Sequence, residues 1–183
     1  MNFVRSDTAK IRNIDNDNNI LSFVMISNSN ACKRWDWDMG EYLEELDISG
    51  ARYNELRTLF TDHNPSVDNA IAKIENIRVE NNELVCDCIF AKDERSQNIF
   101  KKYKDGILSD VSIGYKILKQ TIDKDSNPKK VLVNEFEIFE LSAVWKGADK
   151  NAKKRFFDEQ TQKEAKALAQ ARERELELMI KTL

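Results

Sequence analysis

His63 is the only histidine in the chain. Imidazole titrates near neutrality, so it is the side chain best suited to take up and return a proton. His63 ends a short apolar segment, residues 56–60, within Thr61-Asp62-His63-Asn64-Pro65, just before an Asn-Pro turn signal. Side chains at such positions border clefts. A histidine base needs a nucleophile, and the thiols are poor candidates because Cys86 and Cys88 lie in an apolar run. Ser112 is the better one. On a strand over Ser109-Asp110-Val111-Ser112-Ile113-Gly114-Tyr115, alternation sends Val111, Ile113 and Tyr115 one way and Ser112 with Gly114 the other. The bare Gly114 would let a substrate backbone come close to the hydroxyl. The plainer reading is a serine on the solvated face of a half-buried strand.

A third group should orient the imidazole and stabilise its cation. Simple alternation in Phe136-Glu137-Ile138-Phe139-Glu140-Leu141-Ser142-Ala143-Val144 puts Glu140 on one face with Phe136, Ile138, Ser142 and Val144. A carboxylate among apolar neighbours is costly unless paired, and an imidazole N–H could be its partner. The alternative is a bulge that turns Glu140 outward, like Glu135 and Glu137. Other catalytic signatures are missing: there is no Gly-x-Ser-x-Gly elbow, His-Glu-x-x-His helix, P-loop or Gly-x-Gly-x-x-Gly. Asp36 and Asp38 read as solvated turn residues. No metal site or cofactor is expected, since Cys86 and Cys88 lack further ligands at a suitable spacing and read as buried, reduced thiols.

The elements that must position these groups are mostly strands. Residues 21–27 are rich in β-formers, residues 71–79 alternate, Asn81-Asn82 makes a turn, and residues 84–91 form the next strand. Residues 41–46 read as a short helix or an irregular strand. Residues 94–105 have helical spacing, with Ile99, Phe100 and Tyr103 on one face and Gly106 as the stop. Residues 107–118 and 130–145 return to strand character around a polar hairpin tip at residues 123–128, the second strand long enough to carry a bulge. This order predicts an α+β fold, mainly an antiparallel β-barrel or sandwich with attached helices. Three units are expected: a polar leader over residues 1–20, a main domain over residues 21–152, and a helical extension over residues 153–183. In the last, Leu168, Arg172, Leu176, Met179, Ile180 and Leu183 form a narrow stripe on a long amphipathic helix.

Composition narrows the classes. With 183 residues, 41% hydrophobic and 33% charged, the chain is globular rather than disordered. A net charge of -3 speaks against a nucleic-acid partner. No apolar run approaches the roughly 20 residues of a membrane span. The first residues lack a secretory signal and the three cysteines are odd in number, so a cytoplasmic protein is expected.

Four blocks carry a family resemblance: Cys32-Lys33-Arg34; Leu59-Phe60-Thr61-Asp62-His63-Asn64; Gly106-Ile107-Leu108 leading to Val111-Ser112-Ile113-Gly114-Tyr115; and Phe139-Glu140-Leu141-Ser142-Ala143-Val144 with Ala148-Asp149-Lys150-Asn151-Ala152. In this order, over about residues 20–152, they resemble the prohead (capsid maturation) serine proteases of tailed bacteriophages. The loop after the last strand departs from the family in reading Trp145-Lys146-Gly147-Ala148, without its usual proline. The resemblance implies a β-barrel surrounded by helices, similar to herpesvirus maturation proteases. It implies His63 as base, Ser112 as nucleophile and Glu140 as the acidic third member of an acyl-enzyme mechanism. Arg34 enters only as a helper to backbone N–H groups at the oxyanion. With one histidine, a triad using a second one, as in the herpesvirus enzymes, is impossible here.

The implied substrates are the phage scaffold, the scaffold-like segment of the major capsid protein, and the protease itself, cut inside the immature prohead in the infected host's cytoplasm. Self-association is also expected. The terminal helix would be a packaging tether or self-cleavage target, or else a cap on the barrel or a dimer contact. The rival functions are a non-catalytic capsid assembly or scaffolding protein with the same fold, and an unrelated β-rich binding module.

Overall fold

The computed structural model describes residues 8–15 and 18–147 of the chain. These are mostly strand, in chain order β1 (Thr8–Asp15), β2 (Ile20–Ile26), β3 (Cys32–Asp36), β4 (Gly40–Leu46), β5 (Ala51–Arg52), β6 (Thr58–Thr61), β7 (Ala72–Glu80), β8 (Glu83–Phe90), β9 (Asp110–Asp123) and β10 (Lys129–Val144). The one α-helix among the described residues is α1 (Glu94–Lys104), and two single 3₁₀ turns complete the set. The expected terminal helix over residues 153–183 lies outside the described residues.

The sheet runs β3-β4-β10-β6-β7-β8-β2-β1-β9, with β5 beside β10 and a further ladder between β9 and β10. Three of its pairings depart from the antiparallel expectation. β10 runs parallel to β4, β5 and β6 in turn, and every other ladder is antiparallel. The long β10 thus serves as a spine on which three successive short strands dock. Residues 41–46 are strand, since Tyr42, Glu44 and Leu46 bury one face at period two.

Within the stretch expected as a leader, Thr8–Asp15 is a strand. This stretch is polar in composition, yet it pairs with β2 and, at Thr8–Lys10, with Asp110–Ser112 of β9. Its neighbours supply the ladder hydrogen bonds that its own sequence does not advertise.

The hairpin between β7 and β8 turns on Asn81 and Asn82, with φ of 51° and 60°. Two consecutive left-handed residues make the turn whose twist matches antiparallel strands, and asparagine tolerates that region. α1 is capped by Asp93, whose carboxylate accepts the Ser96 N–H at 3.0 Å. It ends at Gly106, φ 72°, with the Ile107 N–H returning to the Lys102 carbonyl at 2.8 Å. Phe100 and Tyr103 are buried on the core and Ile99 is partly buried there. Tyr103 packs edge-on to Phe23 and Phe90 and donates its hydroxyl to the Asp110 carbonyl at 2.7 Å. The helix thereby fixes the start of β9, two residues before Ser112.

Cys86 and Cys88 are buried free thiols on one face of β8, with sulfurs 3.8 Å apart. Burial pushes the Cys88 thiol well above its ordinary value, so it stays protonated and unreactive.

Candidate active site

The inner faces of β9 and β10 are apolar. Val111, Ile113 and Tyr115 of β9 meet Phe136, Ile138, Leu141 and Ala143 of β10 in the core. The β10 series changes parity between Ile138 and Leu141, because the register with β9 slips between Ile138 and Glu140. One extra residue at this bulge turns the following side chains over. Glu140 is therefore not on the face of Phe136 and Ile138, as simple alternation has it. It lies with Ser142 on the outer face, opposite Gly114 and beside Ser112, which pairs with Ser142. Even so, Glu140 is 2% exposed. Turned outward by the bulge, it is still covered.

His63 covers it. β6 runs parallel to β10, with Thr61 beside Ala143, and the next N–H, that of Asp62, bonds the Ala143 carbonyl at 2.9 Å. Asp62 and His63 both adopt φ of 54°, so the chain turns sharply through the left-handed region. Asp and His tolerate that region better than most residues, but each left-handed residue still costs on the order of 1 kcal/mol, a strain typical of functional turns. The turn brings His63 Nδ1 to 3.1 Å from Glu140 Oε1. The same oxygen accepts the Ser142 hydroxyl at 2.5 Å. Burial acts to raise the Glu140 carboxyl, but the His63 and Ser142 hydrogen bonds outweigh it and hold the group below its ordinary range. Ionised Glu140 only accepts, so Nδ1 of His63 must carry the proton, which leaves Nε2 of the neutral ring as the basic nitrogen.

Gly114 makes room for this carboxylate. A Cβ there would stand 3.0 Å from Glu140 Oε2 and 3.0 Å from the Phe139 ring. Its bare backbone accommodates Glu140 and Phe139, where the sequence suggested room for a substrate.

Ser112 is 1% exposed, and its Oγ has no hydrogen-bond partner. An unpaired buried hydroxyl costs about 1–3 kcal/mol and calls for a reason. Asp110, on the same face, accepts the Gly147 N–H at 2.7 Å and the Ser109 hydroxyl at 2.5 Å, tying the segment after β10 to the start of β9. Ser112 and Glu140 thus share one face of the adjacent strands β9 and β10, and His63, in the turn after β6, is in direct contact with Glu140.

Arg34 is engaged elsewhere. Its Nε lies 3.2 Å from Glu44 Oε1 and its Nη2 lies 3.4 Å from the Tyr115 hydroxyl, which donates to Glu44 at 2.6 Å. Tyr115 faces the core, so this cluster is on the opposite side of β9 from Ser112. Sequence reasoning did not assign Ser142 a role. Its spacing of two from Glu140 on a strand was the available signal.

The sequence model of the caudovirus prohead serine proteases matches residues 32–167, more than half of the chain. The chain belongs to this family. No curated protein and no solved structure matches it. Members of the family are serine peptidases, and the membership sets the chain in the context of a phage prohead. Among the described residues, no helix is long and apolar enough to cross a membrane, and no group of three or more His, Cys, Asp or Glu side chains gathers as a metal site.

Proposed function

We propose that the chain is a serine endopeptidase of prohead maturation in which Ser112 is the nucleophile, His63 the general base and Glu140 the residue that holds the base. The contact of His63 Nδ1 with Glu140 Oε1, at 3.1 Å, carries this reading. With Nδ1–H donated to the carboxylate, Nε2 takes the Ser112 proton as Oγ adds to a peptide carbonyl. The imidazolium then gives that proton to the leaving amine as the C–N bond breaks. Water, deprotonated by the same nitrogen, releases the acyl group and restores Ser112. Glu140 stays ionised throughout and stabilises the cation beside it. No hydrogen bond joins Ser112 to His63 among the described residues, and catalytic contacts of this kind commonly tighten only when substrate binds.

The substrates in this reading are the phage scaffold, the scaffold segment of the major capsid protein and the protease itself. Cleavage takes place inside the immature prohead in the infected host's cytoplasm, and copies of the chain associate there. The protease unit is residues 21–152 with β1 added, and residues 153–183 are an extension, either a packaging tether and self-cleavage target or a cap. The sheet is read as a barrel of the herpesvirus-protease kind. Support comes from the pairing path, which leaves β10 through β6 and reaches β9, itself a neighbour of β10.

The deep burial of Ser112 favours a second reading, a non-catalytic assembly protein that keeps the fold. Co-expression with the phage capsid and scaffold proteins separates the two. Intact masses of all chains are compared for wild type, Ser112→Ala and His63→Ala. Shortened products with wild type alone support the peptidase. Unshortened chains in every case, with assembly intact for Ser112→Ala, support the second reading.

A further inference from the structure

We propose that Ser142 is a positioning residue for Glu140 and that Gly114, across the ladder, completes the seat in which the carboxylate is held for His63. This deepens the reading of His63, Ser112 and Glu140 as one catalytic unit and rests on it.

Ser142 is fully buried, and its hydroxyl donates to the same Glu140 oxygen that faces His63 Nδ1. In this reading it is not a rival nucleophile, because its proton is committed to the Glu140 carboxylate rather than offered to Nε2 of His63. A carboxyl group turns freely about its last bond, and a single donor leaves that rotation loosely set. Two donors on Oε1, one from β10 itself and one from the turn after β6, define which oxygen faces the imidazole. The other oxygen, Oε2, points at Gly114, where a Cβ would come within 3.0 Å. Gly114 is paired with Glu140 in the β9–β10 ladder, so any side chain at position 114 would push on the carboxylate directly. The hydroxyl on one side and the bare backbone on the other fix the group without a permanent cation. The charge that forms on His63 during turnover is then met by an oxygen already in place.

His63 is the only imidazole, so its ring NMR signals report this contact without overlap. Ring shifts are followed against pH in wild type, Ser142→Ala, Ser142→Thr and Gly114→Ala, alongside cleavage of co-expressed capsid and scaffold. Wild type should show an acid-side inflection from Glu140. Ser142→Ala should move it upward by about half a pH unit or more, since a donor to the anion is lost, and should slow cleavage about tenfold. Ser142→Thr, which keeps the hydroxyl, should restore both. An inflection unmoved in Ser142→Ala, or moved equally in Ser142→Thr, overturns the proposal. Should Ser142→Ala fail to fold, Gly114→Ala decides: a displaced Nδ1–H signal supports the seat, and a wild-type signal overturns it. A moved inflection with Ser112→Ala still cleaving removes the catalytic reading and leaves the seat, whereas an unmoved inflection with Ser112→Ala inactive removes only the seat.

Discussion

Glu44 and Glu140 are buried to the same degree, each 2% exposed, on opposite faces of the β9–β10 wall. Glu44 lies on the core side, held by the Tyr115 hydroxyl and the Arg34 guanidinium. Glu140 lies on the outer side, held by the Ser142 hydroxyl and the His63 imidazole. Each carboxylate thus meets a hydroxyl donor and a nitrogen group, and the two sites differ in the nitrogen group. Arginine stays protonated at any working pH, and Glu44 with Tyr115 holds Arg34 above even its ordinary range despite the opposing effect of burial. That cluster is a strut between β3, β4 and β9. Imidazole can gain and lose its proton near neutrality, so an otherwise similar arrangement on the outer face can change charge during a reaction. Burial of a carboxylate alone does not mark a site. The titratability of its partner does.

The largest effects should separate the two sites cleanly. His63→Ala should reduce cleavage by about three orders of magnitude or more, while lowering the urea unfolding midpoint less than Arg34→Ala does, because the Ser142 hydroxyl still donates to Glu140. Arg34→Ala should do the reverse, leaving Glu44 buried without its guanidinium and lowering stability by about 3 kcal/mol, with cleavage kept in the folded fraction. Loss of cleavage in folded Arg34→Ala would move Arg34 into the site and break the comparison. Tyr115→Phe should cost about 1–2 kcal/mol in the same unfolding experiment and leave cleavage unchanged.

The smallest effect is in acid. The folded Glu140 carboxyl lies below the ordinary value of 4.5, so its stabilising contribution is complete above 4.5 and is lost as pH falls through the lowered folded value. Unfolding midpoints measured across this range should fall more steeply for wild type than for Glu140→Gln. Equal slopes would mean that His63 and Ser142 do not stabilise the anion.

Much of this contrast was legible in the sequence. His63 at a turn, Ser112 with Gly114 off the core face of a strand, and the helix stop at Gly106 follow from residue type and period. The face of Glu140 does not. The bulge near Phe139 is set by the pairing of β10 with β9, and nothing in Phe136-Glu137-Ile138-Phe139-Glu140 announces where the extra residue falls. For the same reason Thr8–Asp15 reads as a leader: its strand depends on partners a hundred residues away in β9 as well as on nearby β2. Arg34, close in sequence only to β3 and β4, gave no sign that Tyr115 would claim it from the core side. Ser142 could have been paired with Glu140 from strand spacing alone, but its hydroxyl becomes informative only once both are known to share a buried face.

The central claim is that Ser112 is a nucleophile activated by His63. The direct measurement is covalent capture in the protein co-expressed with the phage capsid and scaffold proteins. A fluorophosphonate is added, and the adduct is located by peptide mass analysis. A single adduct on Ser112 is expected in wild type, lost in Ser112→Ala and strongly reduced in His63→Ala. An adduct on another serine, or labelling of Ser112 undiminished by His63→Ala, would contradict it.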